Sequence, residues 1–113
     1  MPYIHTHLST PLDKDKEAAL KARFGQAITC FPGKTERWLM TEFTPQSAMW
    51  FHGEQGPMAM VEVALFGKAS RKACDAMTQQ LTDILQQVLG LDPAWIYIKY
   101  TEVENWGWNG SNF

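Results

Sequence analysis

The fold is decided by residues 58–101, which read MAMVEVALFGKASRKACDAMTQQLTDILQQVLGLDPAWIYIKYT. The apolar run at the start of this stretch predicts a strand that ends at Gly67. Ser70 then predicts the N-cap of a helix, and Gly90 predicts its C-terminal end. The apolar residues of this helix share one face; they are Cys74, Met77, Leu81, Ile84, Leu85 and Val88. A second strand at residues 95–101 completes a β-α-β unit.

The same pattern occurs in the first half of the chain. Residues 3–8 predict a strand, and Thr10 followed by Pro11 predicts the start of a helix. This helix ends before Pro32 and has its own apolar face of Leu20, Phe24, Ala27, Ile28 and Phe31. Residues 37–44 predict the strand that follows it. The chain is therefore two consecutive β-α-β units.

Two such units predict an α+β fold in a single domain, residues 1–113. Right-handed crossovers give a parallel strand pair in each half, and the halves combine into a four-stranded mixed sheet with both helices on one face. The other face of the sheet has no helix to cover it. On the first strand this face carries Tyr3, His5 and His7, opposite Ile4, Thr6 and Leu8. Because an uncovered, partly apolar sheet face favours association, the pattern predicts an oligomer.

Composition excludes several classes of protein. The 113 residues carry a formal charge of −2, so there is no basic surplus for nucleic-acid binding. No apolar run approaches the length of a membrane span, and the first twenty residues lack the apolar core of a signal peptide. We therefore expect a cytoplasmic protein, although secretion without a leader is not readable from sequence. Cys30 and Cys74 form no CxxC motif and are predicted to be buried, reduced thiols.

Two residues stand out as candidates for chemistry. Removal of Met1 would leave Pro2 with a secondary amine, which burial and a nearby lysine would keep neutral enough to act as a base. The alternative is that Pro2 has no role beyond its place at the start of the chain. Lys34 follows a Pro-Gly pair at the end of a helix. It suits a substrate carboxylate or, alternatively, the last carbonyls of that helix.

Other polar and aromatic residues have no obvious motif. His5 and His7 lie on one strand face, but no third metal ligand is near them in sequence, so we predict polar interface lining and no metal site. Glu62, an acid in an apolar strand, should pair with a histidine or another partner. The chain has five tryptophans. Trp50 is predicted to be a subunit contact, and the tail from Asn105 to Phe113 an ordered loop.

Taken together, five short motifs resemble the macrophage migration inhibitory factor family of the tautomerase superfamily. They are Met1-Pro2, Pro32-Gly33-Lys34, Phe66-Gly67-Lys68, Trp95-Ile96-Tyr97-Ile98 and the ending Gly107-Trp108-Asn109-Gly110-Ser111-Asn112-Phe113. The resemblance spans the whole chain. It implies a homotrimer in which three sheets face a central channel, with an active site at each subunit boundary.

The resemblance also implies roles for individual residues. Pro2 would be the catalytic base, Lys34 and the amide of Phe66 would bind the substrate carboxylate, and Tyr97 would come from the adjacent subunit. Tyr3 would lie beside the base. The aromatic walls would be Trp38, Trp106, Trp108 and Phe113. No cofactor is implied.

The activity implied is keto–enol tautomerisation of small arylpyruvate-like 2-oxo acids. Two alternatives are a non-catalytic, cytokine-like trimer with a vestigial pocket, and a hydratase or dehalogenase reaction of the same superfamily. Lys99 stands where members of the family often have an uncharged amide; it would bind an anionic substrate or, alternatively, pair with Glu62 or Glu102. The strand at residues 58–66 lacks the family's cysteine pair, so thiol–disulfide activity is not expected.

Overall fold

A computed structural model describes residues 1–113 and contains two α-helices, a four-stranded sheet and a C-terminal hairpin. The strands of the main sheet are β1 (Pro2–Leu8), β2 (Met40–Thr44), β3 (Ala59–Phe66) and β4 (Ile96–Val103). The helices are α1 (Lys14–Ala27) and α2 (Arg71–Leu89), and the hairpin strands are β5 (Gly107–Trp108) and β6 (Ser111–Asn112). Neither helix has the uninterrupted apolar length that a membrane crossing requires.

The sheet has the order β2-β1-β3-β4. Each β-α-β half forms a parallel pair, β1 with β2 and β3 with β4, and the two halves meet through the antiparallel pair of β1 and β3. This mixed sheet is the predicted one. The right-handed twist of strands favours one sense of crossover, which explains why both helices lie on one face.

The core lies between the sheet and the helices. Burial alternates along β1 and β3, so every second side chain enters the core. Both predicted helix faces are confirmed, because their central residues are almost fully buried: Leu20, Phe24, Ala27, Ile28 and Phe31 from the first, Met77, Leu81, Ile84 and Leu85 from the second. Ser70 caps α2 and Gly90 ends it with a left-handed backbone, as predicted.

Two predicted boundaries were wrong. The N-cap of α1 is Asp13, whose carboxylate accepts a hydrogen bond of 2.8 Å from the amide of Lys16, whereas the carbonyl of Thr10 is held by the amide of Gln46. The second strand begins at Met40 because residues 36–38 form a short 3₁₀ turn. The start of each element depends on particular hydrogen bonds, and the spacing of apolar residues does not predict such bonds.

One core position is polar. Thr6 is fully buried on β1, and its hydroxyl has no hydrogen-bond partner. Replacing it with the similarly shaped valine removes an unpaired polar group, so Thr6→Val should raise the free energy of unfolding by about 1–3 kcal/mol. Urea denaturation at matched protein concentration measures this. The exposed Thr101→Val on β4 is the control and should change the value by less than about 0.5 kcal/mol. A destabilised Thr6→Val would contradict the prediction.

Candidate active site

Pro2 lies at one end of the sheet, at the start of β1. It is buried and pairs with Leu65 of β3, so the residue before it faces Phe66. There the carbonyl oxygen of Met1 accepts a hydrogen bond of 3.0 Å from the amide of Phe66. Met1 therefore occupies the space directly in front of Pro2, and its carbonyl takes the one main-chain donor at this position. With Met1 attached, the nitrogen of Pro2 is an amide; removal of Met1 turns it into a secondary amine.

Lys34 also contacts Phe66, through the carbonyl of that residue. Gly33 adopts a left-handed backbone (φ +78°) and turns the chain after the first helix, and the amide of Lys34 is held by the carbonyl of Phe31 at 3.0 Å. The Lys34 ammonium then donates a hydrogen bond of 3.1 Å to the carbonyl of Phe66. Burial, and then the charge of Lys34, lower the pKa of the Met1 α-amino group. An amine placed here is thus shifted toward its neutral form.

Aromatic side chains enclose the N-terminus. A cavity of about 390 Å³ is lined by Met1, Trp38, Phe66, Trp108 and Phe113. Trp38 meets Trp108 edge to face, with ring centroids 5.1 Å apart, and Phe66 lies 5.5 Å from Phe113. The tail that carries Trp108 and Phe113 is a two-stranded hairpin. Its turn is Asn109-Gly110, with positive φ at both residues, which is the signature of the tightest hairpin turns. The prediction of an ordered tail is confirmed.

A second cleft, of about 600 Å³, adjoins the first and reaches Pro2 directly. Its lining includes Tyr3, Trp38 and Trp106, as predicted, together with two charged residues that sequence reasoning missed, Arg37 and Glu42. The Tyr3 hydroxyl donates a short hydrogen bond to Glu42, which raises the pKa of Tyr3 to about 12. Glu42 is recognisable only once the β1–β2 register is known, because that register brings it beside the β1 side chains of the uncovered face.

Tyr97, a predicted site residue, lies far from Pro2 of its own chain. Tyr97 pairs with Met60, five positions along β3 from the partner of Pro2, which corresponds to about 17 Å. It lines an apolar groove of about 180 Å³ with Trp50 and Trp95. Tyr97 can therefore contact a Pro2 site only from a neighbouring subunit, as the resemblance implied, and Trp50 (66% exposed) lies in the same groove.

Lys99 is not beside Pro2 of its own chain. Its ammonium lies 3.0 Å from a carboxylate oxygen of Glu62, which is the structural alternative considered for it. Glu62 also accepts a hydrogen bond of 2.9 Å from His7, so its predicted pairing with a histidine is confirmed. These two donors hold the pKa of Glu62 below its usual value. A role for Lys99 in substrate binding would again need a second subunit.

The two cysteines are free and half-buried. The thiol of Cys30 lies 3.7 Å from the sulfur of Met77, and burial raises the pKa of both thiols. A thiol with a raised pKa is a poor nucleophile. The predicted full burial is wrong, because both cysteines are only partly buried, but both pack against the core cluster as expected of structural thiols.

Comparison with known proteins bears directly on this arrangement. The sequence model described as macrophage migration inhibitory factor matches residues 1–113. The crystal structure of the Leishmania major protein named MIF2 is 32% identical, with a TM-score of 0.93 over 100% of this chain and 97% of that one. A homologue from Prochlorococcus marinus is 28% identical, with a TM-score of 0.89 over 98% of each chain. The Toxoplasma gondii protein shares the fold at 20% identity and a TM-score of 0.90. The chain belongs to the macrophage migration inhibitory factor family.

Proposed function

We propose that the protein, once Met1 is removed, is a keto–enol tautomerase of small 2-oxo acids that uses the amine of Pro2 as its base. The observation that carries this proposal is the position of Met1. Its carbonyl lies on the Phe66 amide, and the ammonium of Lys34 holds the carbonyl of the same residue. Trimming frees a main-chain donor next to a fixed positive charge, in front of a buried amine. A carboxylate matches that pair of groups.

The mechanism follows from these groups. The substrate carboxylate accepts hydrogen bonds from the Phe66 amide and from Lys34, which leaves the carbon next to the ketone near the nitrogen of Pro2. The neutral amine takes a proton from that carbon, and the electron pair moves into the enol(ate). The same proton then returns to the alternative position, so the base is regenerated and no cofactor is consumed. Such a placed base contributes about 10²–10⁴-fold to the rate.

The aromatic groups supply the substrate preference. Trp38, Trp108 and Phe113 form apolar walls of the cavity that Met1 also lines. A flat aromatic ring attached to a 2-oxo acid would stack or meet these faces edge to face. Burial against the same walls excludes water from the amine, and this favours the neutral base. An arylpyruvate-like acid is therefore the substrate class we propose.

The site should be completed by a second subunit. The face of the sheet away from the helices is uncovered, Trp50 and Tyr97 are exposed in one groove, and Tyr97 cannot reach Pro2 within its own chain. Self-association would cover these apolar groups and bring a neighbour's Tyr97 toward the cleft. We propose the homotrimer that the family resemblance implies.

The decisive experiment compares wild-type protein with Pro2→Ala, after intact mass has shown that both have lost Met1. Spectroscopic measurement of phenylpyruvate enol–ketone conversion should show a rate well above buffer for wild type and a clear loss for the variant. An inactive trimmed wild type would favour the alternative, a non-catalytic binding module. An unaffected variant would exclude a need for the secondary amine of proline, and equal rates with and without Met1 would exclude the N-terminal amine as the base. A mass of one chain by light scattering would exclude a site shared between subunits.

A further inference from the structure

The uncovered face of the sheet carries a row of carboxylate, imidazole and ammonium side chains that the proposed reaction does not use. The strand register places Glu42, His5, Glu62 and Lys99 side by side across β2, β1, β3 and β4. His7 lies two residues further along β1 on the same face. The row therefore joins all four strands of the main sheet, and both imidazoles meet one carboxylate.

The distances within this group are those of a ligand set. The Nε2 atom of His7 lies 2.9 Å from Oε2 of Glu62, and the Nδ1 atom of His5 lies 3.7 Å from the same oxygen. One potential ligand atom from each of the three residues falls within 4.8 Å of the others. A tetrahedral zinc ion with bonds of about 2.0–2.1 Å needs ligands about 3.3 Å apart. The two measured separations lie on either side of this value.

Neighbouring groups hold the three side chains in place. The Nε2 atom of His5 lies 2.8 Å from the Thr44 hydroxyl, so its Nδ1 atom is the one that faces Glu62. Lys99 lies 3.0 Å from Oε1 of Glu62, which leaves Oε2 for the two imidazoles. Outer partners of this kind orient metal-binding histidines and carboxylates. The imidazoles are also close to each other, with ring centroids 3.9 Å apart.

We propose that His5, His7 and Glu62 form a binding site for a divalent transition metal of the zinc class. Two imidazole nitrogens and one carboxylate oxygen suit zinc or cobalt, and water would complete the coordination. The site joins the two central strands at their antiparallel pairing and is separate from the amine of Pro2. Sequence alone offered two of the three ligands; the third comes from β3, and only the β1–β3 register brings it within reach.

Calorimetric titration of chelator-stripped protein with Zn²⁺ tests the proposal. We expect one ion per chain for wild type and a loss of affinity of at least tenfold in His5→Asn, His7→Asn and Glu62→Gln, since even outer partners of metal ligands contribute that much. Absence of binding to wild type, or equal binding by the three ligand variants, would overturn the proposal.

The third histidine provides the matched control. His52 lies against Phe51 and Trp95, outside this group, so His52→Asn should bind Zn²⁺ as wild type does. The visible absorption spectrum of wild type loaded with Co²⁺ tests the identity of the ligands without the use of a variant. Nitrogen and oxygen ligands should give the bands of a four-coordinate ion without thiolate charge transfer. A thiolate band, or loss of binding in His52→Asn, would place the metal elsewhere and refute the assignment.

Discussion

Protein that retains Met1 should catalyse phenylpyruvate tautomerisation about 100-fold more slowly than trimmed protein, or more slowly still. With Met1 attached, the nitrogen of Pro2 is an amide and cannot accept a proton, so the whole contribution of the base is lost; such contributions are about 10²–10⁴-fold. The Met1 carbonyl also occupies the Phe66 amide, and Met1 forms part of the lining of the aromatic cavity. The measurement is kcat/KM for two samples whose N-termini are defined by intact mass.

The control for this experiment uses a single preparation. Treatment of the Met1-containing sample with a methionine aminopeptidase should restore the full rate, which shows that the retained sample was correctly folded. Equal rates before and after trimming would contradict the proposed base. Competitive inhibitors that carry a carboxylate should bind only the trimmed form, because Met1 holds the Phe66 amide in the other.

Lys34→Ala should lower kcat/KM about tenfold to 150-fold and move the acidic limb of its pH profile to higher pH. A hydrogen bond to a charged group contributes about 1.5–3 kcal/mol, which accounts for the first effect. The shift of the acidic limb follows from like-charge repulsion, because the Lys34 ammonium disfavours a second positive charge on a nearby amine. Burial, and then Lys34, lower the pKa of the Met1 α-amino group. We expect Lys34 to act with the same sign on the Pro2 amine of trimmed protein, so its removal should raise that pKa and leave less neutral base at a given pH. Steady-state kinetics across a pH series measure both effects.

Lys68→Ala is the matched control, since it also removes one positive charge. Lys68 is exposed in the turn after β3 and pairs with Glu102 at 3.7 Å, and Lys34, not Lys68, lowers the pKa of the Met1 amine. We expect its kcat/KM and pH profile to match those of wild type. If Lys34→Ala changed the rate without moving the acidic limb, Lys34 would bind substrate but have no part in setting the state of the amine.

Much of the fold could be predicted because the relevant signals are periodic and local. Alternation of side chains identified the core face of β1, and Ser70 and Gly90 marked the ends of α2. The starts of α1 and β2 could not be placed correctly, since they depend on which of several nearby groups makes a particular hydrogen bond. The carboxylate of Asp13 is one such group.

The residues of the candidate site also fall into those that the sequence could predict and those that it could not. Pro2 and Lys34 could be selected from chemistry and motif, and the structure brings both to Phe66. Glu42 and the proposed ligand role of Glu62 could not be predicted, because each depends on strand register, which relates residues far apart in sequence. The proposed role of Tyr97 would depend on contacts beyond a single chain. Sequence patterns therefore identified reactive groups better than they identified the groups that surround them.

In the C-terminal hairpin, the shape of the cavity wall is independent of the packing that stabilises the fold. Its strands pair only with each other, and none of its residues belongs to the buried cluster that packs the sheet against the helices. A substitution in the hairpin changes the shape of the cavity wall but removes nothing from that cluster. For the proposed tautomerase, a substitution in this segment would therefore alter substrate preference at little cost in folding stability.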